Sequence, residues 1–366
     1  MSYLREIDEA LETIKSLHRY RDLPSHQPTG VIDFSSNDYL GLATDPQVLQ
    51  AFKYATRVGS GGARLLGGRH REHSLLEEEL AAWLGRERAL LFSSGYMAAL
   101  GAISVLAGCV DTIYSDRLNH ASLIDSIRTR KTPRVIFEHG KTPSARERSE
   151  RALIVTESIF SMDGDAVDIE AIAGDLRDGD ILLVDEAHAL GVAGPQGAGL
   201  ARALDDPRIV IMGTLSKSFG AQGGFIAGPA ALIELLVNAA RTFIFDTALP
   251  PAVALAARVA LTVMRRDDGL RSRLFENVKR LRAGLRSLGL AAIDDRSPIV
   301  PVIIGDEERA LRVSACLLEQ RLYVPAVRPP TVPVGTSRLR CSLRADHAVE
   351  HIDLLVQGLS QCIAIL

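Results

Sequence analysis

Leu4, Ile7, Leu11, Ile14 and Leu17 recur at spacings of three and four, which predicts an N-terminal helix with one apolar stripe set against another surface. A polar stretch containing Pro24, Ser25, Pro28 and Gly30 follows, then a short apolar run at 31–34, so this part reads as an arm leading into the body. The strongest helix pattern covers 74–84. Ser74 and Glu77 have the spacing of a capping box, Leu75, Leu76, Leu80, Trp83 and Leu84 line one side, and Gly85 ends it. Beyond it, apolar runs at 89–92, 134–137, 152–156, 181–184, 209–212 and 224–227 alternate with helical patterns. Because these runs are continuous rather than alternating, they predict strands covered on both faces, as in a mainly parallel α/β sheet flanked by helices. After Pro250 and Pro251 long helical patterns at 251–288, 306–321 and 346–364 enclose apolar runs at 299–304 and 339–343, the texture of a smaller α+β domain. The expected organisation is therefore a helix and arm over 1–40, a large domain over 41–249 and a small C-terminal domain over 250–366.

Composition narrows the class. The 366 residues are 47% hydrophobic and 24% charged, enough to build a core, and 42 basic against 45 acidic residues leave a net charge of −3. So small a charge argues against wholesale nucleic-acid binding, and no apolar run reaches the ~20 residues that span a bilayer. The charged N-terminus does not read as a signal peptide, so the expectation is a soluble, cytoplasmic protein with no membrane partner. Cys109, Cys316, Cys341 and Cys362 lie far apart, indicating neither a disulfide framework nor a zinc ribbon. His347 and His351 stand four apart without an HExxH pattern or a carboxylate set, so no metal site is expected. The basic cluster Arg128, Arg130, Lys131 and Arg134 reads most simply as a solvated patch; the alternative is a docking patch for an anionic acyl carrier.

Four segments carry candidate chemistry. Asp185 ends the apolar run 181–184, the strand end at which α/β sheets bind ligands, and a carboxylate there could neutralise a protonated heterocycle; the alternative is a charged surface turn. Lys217 follows another such run among Thr214, Ser216, Ser218 and Gly220. A lysine held in such surroundings could form a Schiff base with a carbonyl; the alternative is an exposed loop lysine. The conjunction of an Asp and a Lys at neighbouring strand ends suits a pyridoxal ring held between them. Ser93, Ser94, Gly95 and Tyr96 mark a strand-to-helix transition whose free N–H groups attract phosphate, or else an ordinary cap. His120 could stack on a flat ring and move protons, or be structural. The glycine-rich 58–68 segment has neither a P-loop ending nor a GxGxxG pattern.

With these residues in view, the chain resembles the pyridoxal-phosphate-dependent α-oxoamine synthases of aminotransferase fold type I. The matching stretches are DFSSNDYLGLA (33–43), GSGGARLLGG (59–68), HSLLEEELAAWLG (73–85), DRLNHASL (116–123), TESIFSMDGD (156–165), VDEAHALGV (184–192), TLSKSFGAQGG (214–224), FIFDTALPP (243–251) and RPPTVPVGTSRLR (328–340). The resemblance implies a homodimer with its site at the subunit interface and pyridoxal 5'-phosphate as cofactor. Lys217 would hold it as a Schiff base, Asp185 would pair with the ring nitrogen, and His120 would stack on the ring. His188 and Ser161 would reach the ring hydroxyl, and Gly95, Tyr96 and Thr214 would hold the phosphate together with Thr247 of the other subunit. Asn37 and Arg340 would face the substrate, with Arg340 gripping an amino-acid carboxylate and Arg19 the next candidate for that clamp. The RPPTVP segment offers Arg328 and Thr331 for the wall and cationic end of an acyl pocket; the alternative is that Arg328 pairs with a surface carboxylate.

The reaction so implied is decarboxylative condensation of L-alanine with a pimeloyl thioester of coenzyme A or an acyl carrier protein. A sister synthase using an acetyl, succinyl or long-chain donor, and a non-catalytic binding subunit, are the alternative readings. Asp246, Ala99 and the Ala189–Leu190 pair depart from the family pattern, and Asp246 would repel a neighbouring phosphate.

Overall fold

The computed structural model describes residues 2–21, 29–290 and 297–365, so much of the proline-containing arm lies outside the described residues. The predicted N-terminal helix, α1 (Ser2–Ser16), forms, but Leu4, Ile7, Leu11 and Ile14 are all exposed rather than set against another surface of this chain. After β1 (Ile32–Asp33), Asp45 caps α2 (Pro46–Lys53) by accepting the N–H groups of Gln47 and Val48. The next helix, α3 (Arg71–Leu84), begins earlier than the sequence predicts. Its cap is His70, whose N–H donates to the ring of His73 at 3.1 Å, so the expected Ser74–Glu77 box does not form. Glu77 has other partners: it pairs with Arg64 through two 2.9 Å hydrogen bonds and accepts the Leu91 N–H at 2.9 Å. Gly85 ends the helix in the left-handed region, φ 62°, as predicted.

The continuous apolar runs become a seven-stranded sheet. In chain order it comprises β2 (Arg88–Phe92), β3 (Thr112–Asp116), β4 (Arg134–Phe137), β5 (Ala152–Glu157), β6 (Ile181–Asp185), β7 (Ile209–Thr214) and β8 (Gly224–Gly228). The spatial order is β2-β8-β7-β6-β5-β3-β4, with β8 antiparallel to both neighbours and every other pairing parallel. β5 and β7 are buried along their whole length, which is why alternation is absent from their sequences. β4 corrects that expectation: it is the sheet edge, with Val135 and Ile136 exposed.

α4 (Gly95–Leu106), α5 (Ala121–Arg128) and α6 (Ile169–Gly174) connect these strands, and α7 (Ala230–Ala239) and α8 (Arg241–Ile244) follow β8. The single helix predicted over 251–288 is two, α9 (Pro251–Arg266) and α10 (Asp268–Ser287), because Asp267 leaves the helical region at φ −113°, ψ 86°. α9 packs back on α2 and α3. The remaining elements are β9 (Ile299–Gly305), α11 (Glu307–Glu319), β10 (Leu322–Tyr323), β11 (Ala326–Val327), β12 (Ser337–Ser342) and α12 (Val349–Ile365). β11, β12 and β9 form an antiparallel sheet, while β10 pairs in parallel with β1 of the arm. Contrary to the expectation from cysteine spacing, Cys316 of α11 and Cys362 of α12 form a disulfide; the two helices lie side by side and bring the Cα atoms to 5.9 Å. No helix among the described residues is long and apolar enough to cross a membrane.

Candidate active site

A parallel sheet delivers its strand ends to one edge, and there the polar residues emerge from the buried layer. β5 ends in Glu157, β6 in Asp185 and β7 in Thr214, while β2 and β3 run out into the loops before Ser94 and His120. Glu157 and Asp185 are register partners on adjacent strands. These residues line a cavity of about 230 Å³ with Lys217, His188, Gly95 and Tyr96.

Ser94 caps α4 by accepting the Met97 N–H at 3.1 Å. The N–H groups of Gly95 and Tyr96 have no acceptor among the described residues, so the first turn of α4 presents free donors and the positive end of its dipole. The approach depends on glycine: a Cβ on Gly224 of β8 would meet the Gly95 Cα and N at 2.5 Å. Thr214 stands beside this turn, its hydroxyl bonded to that of Ser216 at 2.8 Å and to the Gly223 carbonyl at 2.9 Å. This set of N–H and hydroxyl donors, backed by a helix terminus, fits a phosphate.

Lys217 begins the turn after β7, closed by Gly220 at φ 61°, where a Cβ would lie 2.1 Å from the Ala43 nitrogen. Burial pulls the Lys217 ammonium down to about 8, with Arg340 acting in the same direction and Asp185 and Glu157 opposing it. Asp185 accepts the Ala187 N–H at 2.9 Å and is buried. His120 caps α5 and is open to the cavity; its Nδ1 accepts the Ser122 N–H at 3.2 Å, which places the proton of the neutral ring on Nε2. Burial lowers its pKa, against the pull of Asp185. Burial also holds His188 well below the usual histidine range, reinforced by Lys217 and Arg340, and its Nδ1 lies 2.7 Å from the Tyr39 hydroxyl.

Arg340 reaches the site from β12. Its guanidinium donates to the Ser161 carbonyl at 2.7 Å, Asn37 Oδ1 at 3.0 Å and Ser342 Oγ at 2.7 Å, so Asn37, Ser161 and Arg340 are assembled together. Arg328 donates to the carbonyls of His18 and Tyr20, and so anchors the end of the N-terminal arm. Arg19 is paired with Glu307 at 3.1 Å. Thr331 lines a second cavity, and Thr247 is exposed outside the first one, beside Asp246. Asp246 accepts the Ser93 hydroxyl, so its carboxylate is engaged next to, and not within, the α4 turn.

Tyr39 and Glu157 were missed by the sequence reading. Tyr39 is fully buried and its hydroxyl bridges His188 and Asn37 Oδ1, the latter at 3.1 Å. Glu157 is buried with Oε1 unpartnered, and burial beside Asp185 raises its pKa well above the usual carboxylate range. Its position one strand from Asp185 in the TESIFSMDGD stretch is the signal that could have found it.

A lysine and a carboxylate facing one cavity beside a phosphate-binding helix turn define a class of cofactor-dependent enzyme, and residues 29–359 match the model of the class I and II aminotransferase family; the chain belongs to that family. Within it, the chain is similar to curated 8-amino-7-oxononanoate synthases: 42% identical to that of Saccharophagus degradans, covering 99% of this chain and 97% of the relative, and 45% identical to that of Methylococcus capsulatus, covering 97% of each. Among solved structures, the serine palmitoyltransferase of S. paucimobilis with bound PLP–myriocin aldimine superposes with a TM-score of 0.90 at 29% identity over 100% of this chain and 99% of that one. The 8-amino-7-oxononanoate synthase of Francisella tularensis superposes with a TM-score of 0.78 at 27% identity, over 92% of this chain and 99% of that one.

Proposed function

We propose that this chain is a pyridoxal-phosphate-dependent acyltransferase with 8-amino-7-oxononanoate synthase activity, condensing L-alanine with a pimeloyl thioester, with loss of CO2 and free thiol, in biotin biosynthesis. The observation that carries the reading is the convergence of Lys217, Asp185 and the free first turn of α4 on one cavity. When bound, pyridoxal phosphate supplies an electron sink for the carbanion formed at the amino-acid Cα.

Gly95 and Tyr96 would hold the phosphate through N–H groups without another acceptor, with the Thr214 hydroxyl beside them, and Asp185 would keep a proton on the ring nitrogen. Ser161 and His188 attend the ring hydroxyl; His188 is neutral at physiological pH and can accept or donate there without adding charge. Arg340 receives the alanine carboxylate, its guanidinium preset by Ser161, Asn37 and Ser342. Lys217 takes the Cα proton on Nζ, for which a pKa near 8 suits a base working close to neutrality. His120 offers its Nε2–H to the oxygen that becomes negative as the acyl carbonyl is attacked.

We further infer a homodimer. Phe52, Tyr54, Val58, Leu66 and Phe245 are exposed apolar residues, and exposed Thr247 is bridged to Ala63 of the segment that carries Val58 and Leu66, available to a second copy.

Lys217→Ala tests the reading. Turnover of alanine with pimeloyl-CoA should fall by about a thousandfold or more, because one side chain is both covalent anchor and base. Borohydride should then fix no cofactor to the protein, while circular dichroism stays that of the wild type. Wild-type turnover in that variant overturns the assignment.

A further inference from the structure

A second cavity, of about 410 Å³, adjoins the first. The two meet at the 119–120 turn, where Asn119 lines one and His120 the other, and Ser161, whose carbonyl holds Arg340, lies in the second wall. Its walls are apolar along Ile124, Phe160, Met162 and Val332, and it carries two guanidinium groups, Arg117 and Arg338.

These two arginines differ. Arg338 is buried and spent: it pairs with Asp163 and donates to the Thr336 carbonyl at 3.1 Å. Its charge is balanced within the cavity wall. Arg117 has no side-chain hydrogen bond and no carboxylate within ion-pair distance among the described residues; Glu138, which feels its field, is bonded to Lys141. The cavity therefore combines an apolar length with one uncompensated positive charge. That is the complement of a methylene chain ending in a single carboxylate.

We propose that this cavity is the acyl-tail subsite and that Arg117 is the specificity-determining residue that binds the distal carboxylate of the donor. The inference rests on the function proposed above, whose product name places a carboxylate at the far end of the chain from the new ketone. It gives Arg117 the role that the sequence suggested for Arg328, whose guanidinium is bonded to the His18 carbonyl of the arm.

The test compares pimeloyl-CoA with heptanoyl-CoA, a donor of equal length without the distal carboxylate, using holoenzyme at saturating alanine. The wild type should favour pimeloyl-CoA in kcat/KM. Arg117→Gln should raise KM for pimeloyl-CoA about tenfold with kcat kept, the size expected for a charge-assisted bond at a solvent-accessible arginine. It should leave heptanoyl-CoA within about twofold, and the alanine titration of the cofactor absorbance unchanged. Arg117→Lys should recover part of the preference, which a purely structural role would not. Equal losses on both donors, or no loss on pimeloyl-CoA, overturn the inference while leaving the proposed function standing. A wild-type enzyme that works better with acetyl- or palmitoyl-CoA than with either seven-carbon donor overturns the function and this inference with it.

Discussion

At the scale of single residues, the chemistry of the site turns on Lys217. An ordinary lysine is only about 0.4% neutral at pH 8, whereas a group with a pKa of about 8 is half neutral there. Burial makes this difference, and the carboxylates of Asp185 and Glu157 limit it. The sign follows directly: the ammonium dominates below the midpoint and the nucleophilic amine above it. In cofactor-free protein, capture of pyridoxal phosphate at low, fixed concentration should therefore accelerate with a midpoint near pH 8, followed by the absorbance of the adduct. Asp185→Asn removes a group that favours the charged form and should move that midpoint down. A midpoint above pH 10 in the wild type would show that the side chain is solvated as an ordinary lysine is.

At the scale of elements, β3 shows where sequence reading stopped. Its residues Thr112–Asp116 lack a continuous apolar run because Ser115 and Asp116, though buried, serve the loops at the strand end. Ser115 accepts from Asn119 at 3.0 Å, and Asp116 takes the His139 ring at 3.1 Å, the Leu118 N–H at 2.8 Å and the Gly140 N–H at 3.0 Å. β5 to β7 were legible because their apolar runs continue almost to the strand end, with a polar residue closing each. Of the site, Lys217, Asp185 and His120 were legible because each follows a readable strand or motif. The anchoring of Arg328 was not, because it is made to carbonyls 308 and 310 positions away.

His139 also tests an element-scale idea. It bridges Asp116 of β3 to Asp165, at 2.6 Å, at the end of the loop that carries Ser161, and those two carboxylates raise its pKa to about 10. A histidine whose folded pKa is raised contributes stability in full below the unfolded value near 6.5, and that contribution is lost as pH rises through 10. His139→Gln should destabilise the protein at pH 6 by about 2 kcal/mol, since it leaves buried Asp116 without its counter-charge. Thermal melts of the two proteins should converge above pH 10; a constant gap would exclude the ionic bridge.

At the scale of the whole molecule, Val58 and Leu66 are 92% and 86% exposed on a segment joined to the loop of Thr247 by the isolated Ala63–Thr247 bridge and the Ala248 to Gly62 hydrogen bond. Apolar side chains so displayed near a candidate phosphate ligand would form the contact in the homodimer proposed above. Val58→Glu with Leu66→Glu should shift sedimentation from dimer to monomer and loosen cofactor retention, with the fold preserved by circular dichroism. A stable dimer in that variant would locate the contact elsewhere, with the bare stripe of α1 the next surface to charge.

The long-range contacts of the segment after β1 also set when the candidate site can assemble during synthesis. Asn37 meets Arg340 across 303 positions of chain, and Tyr39 reaches His188 across 149. Asn37 must therefore wait for its partner until residue 340 has been translated. A nascent chain shorter than residue 340 can assemble the seven-stranded sheet, because every one of its strands ends before residue 229. Arg340, the proposed substrate clamp, is absent until β12 emerges, so ribosome-stalled chains ending before that strand should be folded at the sheet and catalytically silent.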